Sequence, residues 1–485
     1  MARVVVLGAG VSGHTAASFL RRWLPQQHEV VVVSPLSTYN WIPSNIWVGV
    51  GRMQRSQVVF PLRPIYEGVG ITFYQAKATS IHPEGGRDST TPFVVIERTD
   101  DGHEGEEEQI AYDYLINATG PKLNFSVTEG LGPHGGHSWS VCTPEHATEA
   151  ARAFAESIER MKRGEKQVFL VGTGHGTCTC QGAAFEYIVN LEFELRRHKV
   201  RDKADVVWIS NEYELGDFGM GGLHLKQGGY IMHSKAFTES LFAERGIMWI
   251  KRAHTASVAP DRVHYERLDG TFGEEEFDFA MLLPPFRGVG IEAYNKEGAA
   301  ITEKLFMPNG FMKVDADYSK KGYEEWRASD WPKTYQNPDY DTVYSVGIAF
   351  APPHAISRPT ASPNGTPISP APPRTGMPSA TMAKVVARNI ADRIIGKQCP
   401  PHTASMADMG AACVASGGAG LLDGSAAAII VYPIIPDFDR YPQYGRDINK
   451  TFGEIGLAGH WIKNLLHHVF MYKAKMKPGW FMLPE

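Results

Sequence analysis

The chain opens on an uninterrupted apolar run, Val4 to Leu7, and then turns to glycine in "GAGVSG". Short apolar runs bounded by turn residues belong to strands buried on both faces of a parallel sheet. The next residues, "HTAASFLRRWL", take up helical spacing, and "HEVVVVS" returns to a strand. The same order recurs in "QVFL", "VGTGHGTCTCQGAAFEY" and "ADVVWIS". Near the far end, Trp461, Leu465 and Val469 stand beside Ile462, Leu466 and Phe470 at helical spacing, with Lys463, Lys473, Lys475 and Lys477 around them. The pattern predicts an α/β chain of two Rossmann-like dinucleotide-binding domains, followed by an amphipathic helical region at a membrane surface. With Trp480, Phe481 and Met482, which would otherwise be an exposed apolar end, the tail is expected to be an interfacial anchor, although a helix docking in a dimer would give the same period.

The first glycine turn is G-x-G-x-x-G with its strand and helix in place. Gly8 permits the tight turn, Gly10 admits a pyrophosphate, and Gly13 lets helix and strand pack closely. The second strand ends in Ser34 where a ribose-binding acid is usual. Ser34 reads equally as a ribose partner or as a loop start.

The second turn has Gly172, Gly174 and Gly176, but Thr177 stands where the third glycine of the motif belongs. A side chain there crowds the helix–strand contact, so nicotinamide binding is expected to be lost. No basic residue after "ADVVWISNEYEL" offers a 2′-phosphate partner. Two thiols, Cys178 and Cys180, enter at the helix start, where the dipole favours thiolate.

Composition narrows the classes. The 485 residues carry a net charge of −5, which gives no basic surface for nucleic acid. No apolar run is long enough to span a bilayer, and the first residues leave no room for a signal peptide, so a cytoplasmic chain is expected. Five cysteines read as reactive or buried thiols rather than a disulfide framework. No metal site is expected.

Several further segments carry a family resemblance. Ala118, Thr119 and Gly120 in "YDYLINATGPKLNF" resemble the strand-to-loop crossing of two-dinucleotide-binding flavoproteins, and Gly347 in "DTVYSVGIAFAPP" resembles the strand beneath the flavin's ribityl chain. "GLGPHGGHSWSVCTPEHA" with Cys142, "CQGAAFEY" with Cys180 and Glu186, "LLPPFRG", "PPRTGMPS" and "MGAACVA" resemble segments of the sulfide:quinone oxidoreductase family. The resemblance covers most of the chain. It implies FAD, sulfide or a related sulfur species as donor, membrane quinone as acceptor, and a peripheral place on the cytoplasmic side of the membrane, with a homo-oligomer expected and no nucleic-acid partner.

On this resemblance Cys180 carries sulfur, Cys142 lies near the flavin ring, and Glu186 is an acid or base. Pro43, Arg374, Thr375 and Gly376 join the cofactor site. Cys413 matches a cysteine that is not usually catalytic. Two departures mark a divergent branch. The family's third cysteine is Ala349 here, which makes Cys178 the nearest replacement, and an expected histidine is Asp217. The expected boundaries are 1–160 and 296–395 for the FAD-binding domain, 161–295 for the second Rossmann-like domain, and 396–485 for the membrane and quinone region. A flavin–quinone oxidoreductase fed by another sulfur donor or a partner protein, and a persulfide-carrying flavoprotein subunit, are the competing readings.

Overall fold

The computed structural model describes residues 1–179, 181–417 and 424–485. Its first sheet is built on β1 (Arg3–Leu7), which leads through α1 (Val11–Trp23) to β2 (Glu29–Ser34). The sheet continues through β3 (Thr72–His82), β4 (Phe93–Arg98) and β5 (Glu107–Ala111), while β6 (Tyr114–Asn117) pairs on the other side of β1. β1 is parallel to both neighbours, with Val5 between Val31 and Leu115. The late strand Val343–Ser345 returns to lie parallel to β6. That return brings the "VGIAF" segment onto the carboxyl ends of β1 and β6, where an open α/β sheet binds its ligand.

Close approach fixes this corner. Gly8 takes φ +98°, and a Cβ there would stand 2.3 Å from the Ala118 carbonyl oxygen. A Cβ on Gly13 would stand 1.9 Å from the Gly8 carbonyl oxygen. Only glycine at both positions lets α1 lie this near the strands.

The helix α2 (Pro144–Lys162) leads to the second sheet. There β7 (Gln167–Thr173) is followed by α3 (Gln181–Arg197), β8 (Ala204–Ile209), β9 (Ile247–Ile250) and β10 (Phe279–Leu283). All four strands are parallel in the order β9–β8–β7–β10, and Leu170 sits between Val207 and Ala280.

The helix α4 (Gly376–Ile394) packs on α1. A third sheet then forms from β11 (Ala411–Gly417), β12 (Ser425–Val431) and β13 (Phe452–Gly456), extended by the hairpin 224–233. Finally α5 (Leu457–Ala474) lies across β11 and β12. One hydrophobic core runs through all three layers, from Val4 and Phe19 to Phe169, Trp208, Ile429 and Met471.

The tail differs from the sequence expectation. Trp480 packs its edge on Phe19 at 4.9 Å, and the Arg22 guanidinium lies 3.2 Å over the Phe481 ring. These two aromatics dock on α1, because burying their rings there removes apolar area from water. Met482 remains 75% exposed. On α5 the side facing the protein carries His460, His467 and Met471, whereas Ile462 and Leu465 are 52% and 61% exposed. Among the described residues no helix is long and apolar enough to cross a membrane.

A paired substitution tests the β1–α1 corner. Gly13→Ala is expected to lower the melting temperature and the bound flavin together. Gly10→Ala, whose added Cβ meets no protein atom within 4 Å, should keep the wild-type melting temperature of the flavin-free protein and lose flavin only. Thermal melts and flavin-to-protein absorbance ratios read both outcomes.

Candidate active site

Two helices begin in one cleft. α1 starts after Gly10 and α4 after Thr375; neither first turn is capped by a side chain or holds an acidic residue. Such ends present unpaired N–H donors and the positive pole of the helix dipole. Gly10 and Gly376 each face open space, with no atom within 4 Å of a Cβ built on them. Gly347, at φ +67°, lies so close that its Cβ would stand 2.1 Å from Ser12 Oγ, which places the 347–349 turn directly on α1. Ala118 and Thr119 close the opposite side: the Ala118 N–H donates to Leu7 O at 2.8 Å and Thr119 Oγ1 to Asn117 Oδ1 at 2.8 Å, ahead of Gly120 at φ +69°. A groove that any side chain would fill, between two bare helix ends, fits the pyrophosphate and flavin ends of FAD.

Two of the expected cofactor residues also bond within the protein. Ser34 Oγ donates to Leu36 O at 3.2 Å and accepts from the Leu36 N–H at 3.3 Å, closing its own turn. The Arg374 guanidinium donates to Phe350 O at 3.1 Å and lies 4.9 Å from the Phe311 ring centre, so it braces the turn beside the cradle.

The second glycine turn is filled by protein. A Cβ on Gly176 would stand 2.2 Å from Pro367 O and 2.9 Å from His254 Nδ1. The Gly176 N–H donates to His254 Nδ1 at 2.9 Å, and its carbonyl accepts from the Ser369 N–H at 2.9 Å. The Pro-rich segment 357–373 thus lies where a second pyrophosphate would bind. Glu266 anchors it, accepting from Ser362 Oγ, from Thr366 Oγ1 at 2.6 Å and from Asn364 Nδ2 at 3.0 Å. Burial acts to raise the Glu266 pKa, but these three bonds hold it below the ordinary carboxylate range. Asp217, in place of the expected histidine, is buried; it accepts from Ser357 Oγ and from the Gly219 N–H at 3.0 Å, which tightens the same segment.

The thiols divide. Cys180 lies outside the described residues. Cys178, nominated by its spacing, is fully buried, and its Sγ donates to Leu283 O at 3.0 Å. Burial and this bond fix the position of the Cys178 thiol. The loop it sits on is stitched to the start of α4: the Ala371 N–H donates to Cys178 O at 3.1 Å, and Thr179 Oγ1 to Pro372 O at 2.7 Å. Cys142 is half-buried ahead of α2. Its neighbour Val141 offers its carbonyl to Asn45 Nδ2 at 3.3 Å, two residues past Pro43. Cys413, set aside on sequence grounds, reaches from β11 to the first turn of α3, where a Cβ on Gly182 would stand 3.3 Å from its Sγ.

A cavity of about 320 Å³ continues from the cradle. Pro43, Thr375, Gly376, Ala412, Val414, Phe470 and Trp480 are among its lining residues. Lys463 also lines it and donates to Glu186 Oε2 at 2.9 Å. Ser416 Oγ donates to Glu186 Oε1 at 3.1 Å. Burial raises the Glu186 pKa, and Lys463 and Ser416 only partly offset it. His467, against Ser44 Oγ at 2.8 Å, is pushed down to about 4, chiefly by burial and then by His468, Lys475 and Lys463, and is neutral at physiological pH.

The family model for pyridine nucleotide-disulphide oxidoreductases matches residues 2–198. A sulfide-quinone reductase from Aquifex aeolicus is 29% identical over 97% of this chain and 91% of that protein. The crystal structure of the sulfide:quinone oxidoreductase from the same bacterium superposes with a TM-score of 0.75 at 28% identity, covering 98% of this chain and 92% of that one. Over nearly its whole length the chain is similar to sulfide:quinone oxidoreductases. An NADH-bound NDH2 from Plasmodium falciparum shares the fold at a TM-score of 0.63 and 12% identity. In this protein the 357–373 segment packs on the second glycine turn.

Three residues escaped the sequence reading. His254 reaches Gly176 across 78 positions without any local signal. Cys413 comes from a separate sheet. Lys463 reads as a flanking charge, yet His460, Lys463 and His467 recur at three- and four-residue steps, a polar line inside an apolar helix that marks an inward face.

Two outcomes follow from this geometry. Micromolar NADH should leave the flavin of this protein oxidised in an anaerobic absorbance assay; rapid bleaching would show that the 357–373 segment opens. Lys463→Met should destabilise by about 3 kcal/mol or more, because it strands a buried carboxylate. It should also raise the Glu186 pKa further. A raised folded-state pKa gives stability below the unfolded value that is lost as pH rises, so the variant's melting temperature should fall more steeply with rising pH than the wild type's.

Proposed function

We propose that this protein oxidises sulfide with bound FAD and passes the two electrons to a membrane quinone, working as a peripheral protein on the cytoplasmic face of the membrane. The observation that carries the reading is the single cavity joining the FAD cradle to the docked tail. FAD supplies a two-electron store that takes electrons on the sulfur side and yields them on the quinone side. The uncapped first turns of α1 and α4 bind its anionic parts, and the Gly347 turn orients it against Ser12.

On the sulfur side, Cys180 is the proposed nucleophile, with Cys142 near the flavin ring. Cys413 is the partner in place of Cys178, since its Sγ rests on the helix turn that begins right after Cys180 in sequence. The dipole of α3 favours the thiolate there. On the quinone side, Lys463 Nζ faces the cavity and holds a proton toward a quinone oxygen. Glu186, kept protonated to higher pH by burial, resupplies it. The apolar cavity wall excludes water between the two.

The outward face of α5, with Ile462 and Leu465, and the exposed Met482 give the membrane contact. Quinone tails remain in lipid because each buried CH₂ contributes about 0.8 kcal/mol, so the cavity must open at the bilayer. Ala349, buried in the 347–349 turn where the family carries a cysteine, favours the second reading, a different sulfur donor feeding the same cavity.

Anaerobic mixing with sulfide is expected to bleach the flavin, and a short-chain quinone to restore it. Bleaching only by another sulfur compound would select the second reading, and no bleaching by any sulfur donor would overturn both. Cys180→Ser and Cys413→Ser should each abolish sulfide-dependent bleaching with FAD retained, whereas Cys178→Ser should keep it. The triple variant Ile462→Gln, Leu465→Gln, Met482→Gln should leave liposomes and lose long-chain but not short-chain quinone reduction; unchanged pelleting would remove the proposed membrane face.

A further inference from the structure

The carboxyl end of α4 holds a second cluster of chemistry-bearing side chains, well away from the cradle. Asp392 lies on its last turns, 16 residues beyond Gly376 and therefore about 24 Å along the helix. The loop that leaves the helix runs "GKQCPPHT" and brings Cys399 and His402 back to this carboxylate. His402 Nε2 lies 3.1 Å from Asp392 Oδ2, and Cys399 Sγ lies 3.7 Å from the same oxygen. One ligand atom from each residue lies within 4.8 Å of the other two. The loop is held in register: the His402 N–H donates to Asn389 Oδ1 at 2.7 Å, and Asn389 Nδ2 donates to His402 O at 2.9 Å.

An independent feature marks the cluster as incomplete. Asp392 is 3% exposed, and its Oδ1 is buried with no hydrogen-bond donor. Lys397 Nζ stands 3.7 Å from it, beyond hydrogen-bonding reach, while Arg388 Nε donates to Oδ2 at 3.1 Å. A buried carboxylate oxygen left unbonded is costly, and an ion is one of the few things that relieve it.

We propose that Asp392, Cys399 and His402 bind one zinc ion, with water as the fourth ligand. Carboxylate oxygen, thiolate sulfur and imidazole nitrogen together suit a borderline-soft divalent ion. Zinc bonds of about 2.0–2.3 Å place neighbouring ligand atoms at separations close to those seen here. The two cations do not block the ion. The Arg388 guanidinium also lies 5.1 Å from the Trp23 ring centre, and Lys397 is half-exposed with its Nζ 3.7 Å from Asp392 Oδ1. The ion's role is to clasp the 395–402 loop to the end of α4, the helix whose other end meets FAD. The sequence pattern alone gives no metal here, because the Asp lies seven residues before the Cys and only the helix end brings them together.

Zinc titration of the chelator-treated, FAD-loaded protein, followed by metal analysis after gel filtration, tests the site. One zinc per chain is expected. Cobalt in its place should give a thiolate-to-cobalt charge-transfer band. Cys399→Ser and His402→Ala should each weaken binding by more than the roughly 10- to 100-fold cost of losing an outer-shell partner, and Cys399→Ser should remove the band. Lys397→Ala should bind zinc at least as tightly as the wild type. No stoichiometric zinc in the wild type, or zinc retained equally by Cys399→Ser and His402→Ala, would overturn the proposal. Both substituted residues are exposed on a loop, so failure to fold would not mask the result.

Discussion

Two helix ends without caps share one cleft, and the rest of the molecule is arranged around that fact. A helix start leaves N–H groups unpaired, and most helices satisfy them with a side chain. Here Gly10 and Thr375 supply none. The donors remain available to an anionic cofactor, and the protein keeps the space clear with Gly10 and Gly376. Everything that closes on the cleft, from the Gly347 turn to the brace of Arg374, holds the two ends in a fixed relation.

The second Rossmann layer shows the same architecture put to another use. Its glycine turn is filled by His254 and by the 357–373 segment, which Glu266 clamps. The parallel strands of a dinucleotide-binding layer are retained, and protein packs on the turn. What remains is a rigid platform that carries a thiol-bearing loop to the start of α4. The Glu186–Lys463 pair then ties α3 to α5, so the sulfur side and the cavity share one buried electrostatic contact.

Much of this was legible from the chain. The apolar runs and glycine turns mark both parallel sheets, since a strand buried on two faces has little freedom in composition. Thr177 marks a departure from the glycine motif, yet the contacts that pack on this turn come from residues 78 to more than 190 positions away and leave no local pattern. The burial of Cys178 is equally invisible, because a C-x-C spacing says nothing of which thiol faces a carbonyl. The tail combines both cases: its period is plain, but the docking of Trp480 on Phe19 depends on α1, at the other end of the sequence.

The central claim is that electrons leave the flavin through the cavity between α1, α4 and α5. The most direct measurement is an experimental structure of the FAD-loaded protein with a short-chain quinone analogue. The account predicts the quinone ring near Thr375 and Gly376, an oxygen within hydrogen-bonding distance of Lys463 Nζ, and the tail leading past Phe470 toward Trp480. A ring bound elsewhere, or a cavity filled by the tail with the quinone excluded, would contradict it.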